Sequence, residues 1–282
     1  MSSREIDLEK FQGWRSPYYR MLNALRRNRL IWDIVTLVSP FVALVTVWHL
    51  VASAGMYSEV LFPKPATVAQ AGLEALMDGS LWRNIKASLY NLGIGFIVGA
   101  GLAIPLGLAM GLMRGLATFV EPLVTFFQAI PGLAWIPLAI LWFGAGQVSV
   151  IFIIFTSVFF PVLYSMLAGV RGVEPAMIAA ARTMGASTMT IVRHVIIPSS
   201  LPSLVTGLRL SVGFGFRTLV AGEMVVATAG LGYMIFDARS YMRSDLVMVG
   251  MIVIGLLWLA IDRIFLVSLE KNTIRRWGLV EE

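Results

Sequence analysis

Three charged side chains, Arg209, Arg217 and Glu223, fall within one apolar stretch, Ser203 to Val226. An ionised group at the centre of a bilayer costs at least about 2.5 to 3.5 kcal/mol, so each needs water, a counter-ion or a charged solute. On a regular helix Arg209 and Glu223 share a face to within about 40° but stand roughly 21 Å apart, and Arg217 lies about 80° from Arg209. Helical side chains lean toward the N-terminus, which lets Arg209 snorkel to the near surface, while Arg217, past the middle, leans back into the membrane. Two readings of Arg217 stand level. In one it faces a translocation path and favours an anionic solute, with Glu223 near the far end orienting or gating. In the other it closes a structural ion pair with a carboxylate on a neighbouring span or subunit.

The rest of the chemical inventory is thin. His49 sits near one end of an apolar run, where a polar tip reaches headgroups. His194 lies in a polar segment and reads as solvated, and Asp262 and Arg263 sit near a surface where they can pair locally. An intramembrane enzyme would need paired carboxylates or clustered histidines, and two distant histidines and one mid-span glutamate do not supply them. Cysteine is absent, which excludes disulfides and thiolate ligands. The four lysines follow Glu9, Pro63, Ile85 and Glu270, so no glycine–lysine pair exists and a Walker A motif is excluded. The segment "TAGLGYMIFDARS" is rich in glycine but lacks the strand, helix and lysine of a phosphate loop. The chain is expected to carry no cofactor of its own.

These residues must be positioned by helices in a bilayer. Of the 282 residues 58% are hydrophobic and 13% charged, with mean hydropathy +0.81, whereas a soluble domain carries about 25% charged residues. Apolar runs long enough for a core about 30 Å thick predict six spans: Ile34 to Ala54, Leu89 to Met113, Phe119 to Phe143, Val148 to Val170, Ser203 to Val226 and Leu246 to Leu269. Pro131, Pro137 and Pro161 predict kinks in the third and fourth. Gly95 with Gly99, and Gly107 with Gly111, let another helix approach the second span closely. Residues 1–33 form a polar, basic segment, 34–269 the membrane domain and 270–282 a tail. No small-residue cleavage site follows a short apolar core, so the first span is expected to be retained.

Arginine and lysine crowd the N-terminal segment, the connection after the second span, residues 171–198 and the tail, so both termini are expected in the cytoplasm. This bias also accounts for most of the +6 charge. The basic residues form no stripe interleaved with stacking aromatics, which argues against a nucleic-acid partner.

The cytoplasmic connection contains "AAARTMGASTMTIVRHVIIP", too polar to cross a membrane. Its first helix should stop at Gly185 in the left-handed conformation, Ser187 should cap a second, and Pro198 should end that one at Ile197. Met177, Ala180, Ala181 and Met184 share one face at helical spacing. That face either docks on a partner or packs on its own bundle.

"AAARTMGAS" followed by "VIIPSSLPSLVTGLRLSV" resembles the EAA-type coupling loop of permease subunits in binding-protein-dependent ABC importers. Together with "FQAIPGLAWIPLAILWFG", "LVAGEMV" and "GLGYMI" it is similar to the nitrate, bicarbonate, sulfonate and taurine branch. The likeness covers roughly residues 56 to 268. It implies an all-α type I importer permease of about six spans, with a path lined by two permease copies and solute delivered by an external binding protein. It further implies that ATP and magnesium belong to separate cytoplasmic ATPase subunits. Met177, Ala179, Ala180, Ala181, Met184, Gly185, Ala186 and Pro198 then belong to the coupling surface. Ala179 stands where the family usually carries glutamate, so any docking bond of that carboxylate must be absent or supplied elsewhere. The competing reading is a secondary transporter or channel working alone, which needs no cytoplasmic hairpin.

Overall fold

A computed structural model of the chain describes Thr36 and residues 38 to 266. The expected basic N-terminal segment and the tail from 270 lie outside the described residues, as do the first residues of the first expected span. The chain divides into two compact units, Met1–Pro65 and Ala66–Glu282. In the first, helix α1 (Val38–Ser53) is followed by a loop in which the Trp48 indole donates to the Pro63 carbonyl at 3.0 Å and Lys64 meets Glu59 at 2.7 Å.

The regular elements among the second unit's described residues are all helical: α2 (Pro65–Met77), α3 (Ser80–Leu112), α4 (Arg114–Gln128), α5 (Ile136–Phe143), α6 (Gln147–Arg171), α7 (Pro175–Thr183), α8 (Thr188–Ile191), α9 (Ile197–Val226), α10 (Leu231–Ser240) and α11 (Ser244–Ala260). Its centre is α6, apolar on every side and therefore enclosed. Val150, Ile153, Ile154, Val158, Val162 and Leu163 have no exposed surface. Helices α3 and α9 both pack along α6 and also touch each other.

The glycine spacing of the second span serves this contact. A Cβ at Gly95 would fall 2.6 Å from Ile154 and one at Gly99 3.0 Å from Val158. At Gly107 and Gly111 it would fall 2.9 Å from Met166 and 2.5 Å from Val170. Small residues on successive turns thus bring two backbones together where burial from water offers no driving force, because lipid is as apolar as the helix surface.

Four described helices are long and apolar enough to cross a membrane, Ser80–Leu112, Gln147–Arg171, Thr188–Val226 and Ser244–Ile264, with α4 and α5 a fifth if taken as one broken span. The kink expected in the third span, Phe119 to Phe143, is a full break. The chain bends by 89° between Gln128 and Gly132, and a short 3-10 turn, Gly132–Trp135, leads into α5. Pro131 supplies no amide hydrogen to continue α4, whereas Pro137 sits in the first turn of α5, where none is required. Pro161 lies inside α6 without breaking it.

Two other boundaries differ from expectation. Helix α3 starts at Ser80, nine residues before the expected Leu89, because Asn84, Ser88 and Asn91 are buried on one face of it and are not a loop. And Pro198 does not end the helix that Ser187 caps. A π-turn at Val192–Ile196 joins α8 to α9 in a rod of 39 residues, about 58 Å long. Proline's ring clashes with the carbonyl four residues back, and a wider turn at that point displaces it.

Candidate functional site

Helix α7 and the start of the long rod form a hairpin whose bend is set locally. Gly185 has φ +82°. The Ala186 amide donates to Ala181 O at 3.0 Å and the Gly185 amide to Arg182 O at 2.9 Å, which is the Schellman pattern. The Ser187 hydroxyl then accepts from the Thr190 amide at 3.2 Å and caps α8. Both features agree with the sequence expectation.

The apolar face of this hairpin does two jobs. Ala181, Ala186 and Ile178 pack against the core of the bundle. Met177, 47% exposed, and Met184, 85% exposed, project outward, and Ala179 and Ala180 are exposed beside them. Met177, Ala180 and Met184 line one wall of a groove of about 780 Å³, with Thr190 and His194 on the other. His194 is solvent-exposed, its Nδ1 3.2 Å from Thr190 O. The Ala179 carbonyl accepts from the Thr183 hydroxyl at 3.0 Å.

Toward the other end of α9 the structure separates the three charged residues. Arg209 pairs with Asp262 at 3.4 Å, which ties α9 to the π-turn that continues α11. Arg217 is exposed, on the same strip of α9 as Leu210, 56% exposed, and Phe214, 47% exposed, and no described carboxylate pairs with it. It stands nine residues, about 14 Å, from the end of the rod at Val226.

Beside this strip lies a cavity of about 410 Å³. Its walls come from the α4–α5 break (Gln128, Pro131), α6 (Ser157, Phe160) and α9 (Phe214, Thr218). The Ser157 and Thr218 hydroxyls are 2.9 Å apart and press against Gly132 at the break. Non-helical backbone at membrane depth is tolerated only where protein buries it or a hydrated cavity solvates it, and discontinuous helices mark solute sites in transporters. The break and the cavity thus account for each other.

Glu223 differs from expectation. It has no exposed surface, so it cannot line a path in this conformation. Its carboxylate accepts from the Ser88 hydroxyl at 2.7 Å, the Asn91 amide at 3.2 Å and the Gly232 backbone amide at 3.0 Å. Ser88 in turn accepts from the Leu231 amide at 2.8 Å, and Asn84 from the Gly230 amide at 3.0 Å. The glycine-rich segment therefore folds around an internal carboxylate, pinning α10 to α3 and α9. Sequence reasoning missed Asn84, Ser88 and Asn91. Their i, i+4, i+7 spacing, one polar stripe entering an apolar run, was the available signal.

Residues 103–270 match the family described as binding-protein-dependent transport system inner membrane component. The taurine transport system permease protein TauC of Escherichia coli (strain K12) is 35% identical over 260 residues, 89% of this chain and 92% of that protein. A Bacillus subtilis (strain 168) relative named for aliphatic sulfonates transport, SsuC, is 31% identical over 232 residues, 82% of this chain and 84% of its own. Among solved structures, an inward-facing form of the MetNI methionine ABC transporter aligns with TM-score 0.50 and 20% identity over 70% of this chain and 97% of that one, a likeness of fold. An all-helical bundle with a polar hairpin and a broken span fits these relatives, and the chain belongs to the binding-protein-dependent transport system inner membrane component family, as a permease subunit of an ABC importer.

Proposed function

We propose that this permease passes a small anionic solute, of the organosulfonate kind that its relatives are named for, along the exposed strip of α9. The observation that carries the reading is Arg217, a cation at membrane depth with no described counter-ion, next to a hydroxyl-lined cavity. A fixed positive charge there offsets part of the desolvation cost of an anion entering the low-dielectric region. Two copies of the chain facing each other through this strip enclose the path between them. An external binding protein delivers the solute, and separate cytoplasmic ATPase subunits hydrolyse ATP. Met177, Ala179, Ala180 and Met184 present the contact to the ATPase, and Ala181, Gly185 and Ala186 fix its angle.

The expected result for Arg217→Gln is a loss of sulfonate uptake of about tenfold or more, since a hydrogen bond to a charged group is worth roughly 1.5 to 3 kcal/mol. Assembly with the ATPase and basal hydrolysis stay at the wild-type level. Wild-type uptake of a sulfonate by this variant overturns the anion-path reading. A second expectation follows from the arginine and lysine bias: labels or reporters at Met1 and Glu282 are found on the cytoplasmic side. Labelling of either from outside overturns that topology.

A further inference from the structure

Four polar side chains line the cavity at the α4–α5 break: Gln128, Thr156, Ser157 and Thr218. Three of them are occupied. The Ser157 and Thr218 hydroxyls bond to each other at 2.9 Å, and the Thr156 hydroxyl donates to Ile153 O at 2.8 Å. Gln128 is the exception. It is exposed, and no described residue bonds to its side-chain amide, which brings two donors and an acceptor. It closes α4 fourteen residues, about 21 Å, after Arg114, so in a hydrocarbon core about 30 Å thick it stands far from the surface at which α4 begins. Lipid tails offer an amide no partner at that depth. The wall holds a second group of this kind, because Pro161 has no amide hydrogen to give Ser157 O, four residues back, and both residues line the cavity. Phe214 and Thr218 complete the wall on α9, three residues before Arg217 and one after it, so the cavity is continuous with the exposed strip.

We propose that Gln128 is a solute-contact residue of the translocation path, its amide hydrogen-bonding the polar head of the solute as it passes the α4–α5 break. Between passages water takes the same positions, which is how an amide without a protein partner is kept at this depth. A neutral donor suits a point of transit. A second fixed cation near Arg217 would hold an anion too firmly to release it, whereas an amide replaces part of the solute's hydration without adding charge, and conduction needs binding weak enough to leave. The proposal rests on the reading of the α9 strip as the path and adds to it a contact from a different helix.

The chain has no cysteine, so Gln128→Cys places its single thiol at this site. In the permease–ATPase complex in lipid nanodiscs, that thiol is offered two membrane-impermeant methanethiosulfonates, one carrying a sulfonate and one a trimethylammonium group. The thiolate attacks the sulfenyl sulfur, forming a mixed disulfide and releasing methanesulfinate. Labelling by both reagents is expected, about tenfold faster with the anionic one, and adding Arg217→Gln removes that preference. No labelling by either, with or without ATP, puts position 128 against lipid or protein and overturns the proposal. In proteoliposomes with the binding protein, Gln128→Leu, of similar bulk but without hydrogen bonds, lowers ethanesulfonate uptake about tenfold, and Gln128→Glu, which sets a negative charge in the way of an anion, lowers it further. Wild-type uptake by Gln128→Leu overturns the contact, as does failure of that variant to co-purify with the ATPase, which would make the amide a bond of assembly. Labelling at equal rates by the two reagents keeps Gln128 on a hydrated path and counts instead against the anionic-solute reading of Arg217, so the two failures are read apart.

Discussion

Glu223→Leu is expected to leave almost no folded permease in the membrane, while Glu223→Gln accumulates near the wild-type level. The carboxylate holds Ser88, Asn91 and the Gly232 amide in a site without exposed surface. A leucine strands those donors, at about 1 to 3 kcal/mol for each buried group left unsatisfied. Summed over three donors this approaches the whole stability of a typical domain, about 5 to 15 kcal/mol. No nearby group can take over. The segment is too tight to rearrange, since a Cβ at Gly232 would collide with Val220 O and Glu223 itself.

Glutamine is different because it keeps one acceptor for Ser88 and Gly232 and turns an amide toward Asn91. Asn91 Oδ1 is a buried oxygen without a described partner, so rotating that side-chain amide presents an acceptor to the new donor. Membrane-fraction yield and thermal stability of the detergent-solubilised complex separate the cases. Equal loss in both variants would mean that the negative charge itself is needed, and the hydrogen-bond account would fail.

The second large effect is expected at Gly185→Val, as loss of coupling with the protein intact. A Cβ at this position would meet nothing within 4 Å, so the substitution adds no clash with neighbours. Its cost is conformational. A β-branched residue held at φ +82° carries of order 1 to 3 kcal/mol of strain, and the hairpin relieves it by giving up the Schellman bonds from Ala186 and Gly185. The outward face carrying Met177 and Met184 then loses its fixed angle to the bundle. Because the transmembrane core is untouched, insertion and yield should match wild type, while uptake and substrate-stimulated ATP hydrolysis fall by about tenfold or more, as 1.4 kcal/mol or more of misalignment implies. Gly185→Asn is the control, because asparagine tolerates the left-handed region, and it should retain most of the activity. Wild-type uptake with valine at this position would remove the coupling role.

What the sequence could determine was what depends on neighbours in the chain. The end of α7 at Gly185 and the Ser187 cap were legible because each rests on bonds within five residues. So were the apolar spans, since length and hydropathy alone decide whether a helix suits a bilayer, and the close approach of α3, since glycines at four-residue spacing form a stripe whatever faces it. The direction of the path after Gln128 was not legible. Pro131 announces a kink, but a bend of 89° rather than a gentle one depends on α6 and α9 receiving the Gly132 turn against Ser157 and Thr218. Pro198 misled for the same reason, because a π-turn inside a packed rod can absorb a proline that would stop an isolated helix. The three charges of α9 had three different fates. Arg209 found Asp262, 53 residues on, Glu223 found Ser88, 135 residues back, and Arg217 found no described carboxylate. In a medium that penalises every unpaired charge, sequence could say that each needed a partner; only the folding of distant helices onto one another could decide which of them got one inside the chain.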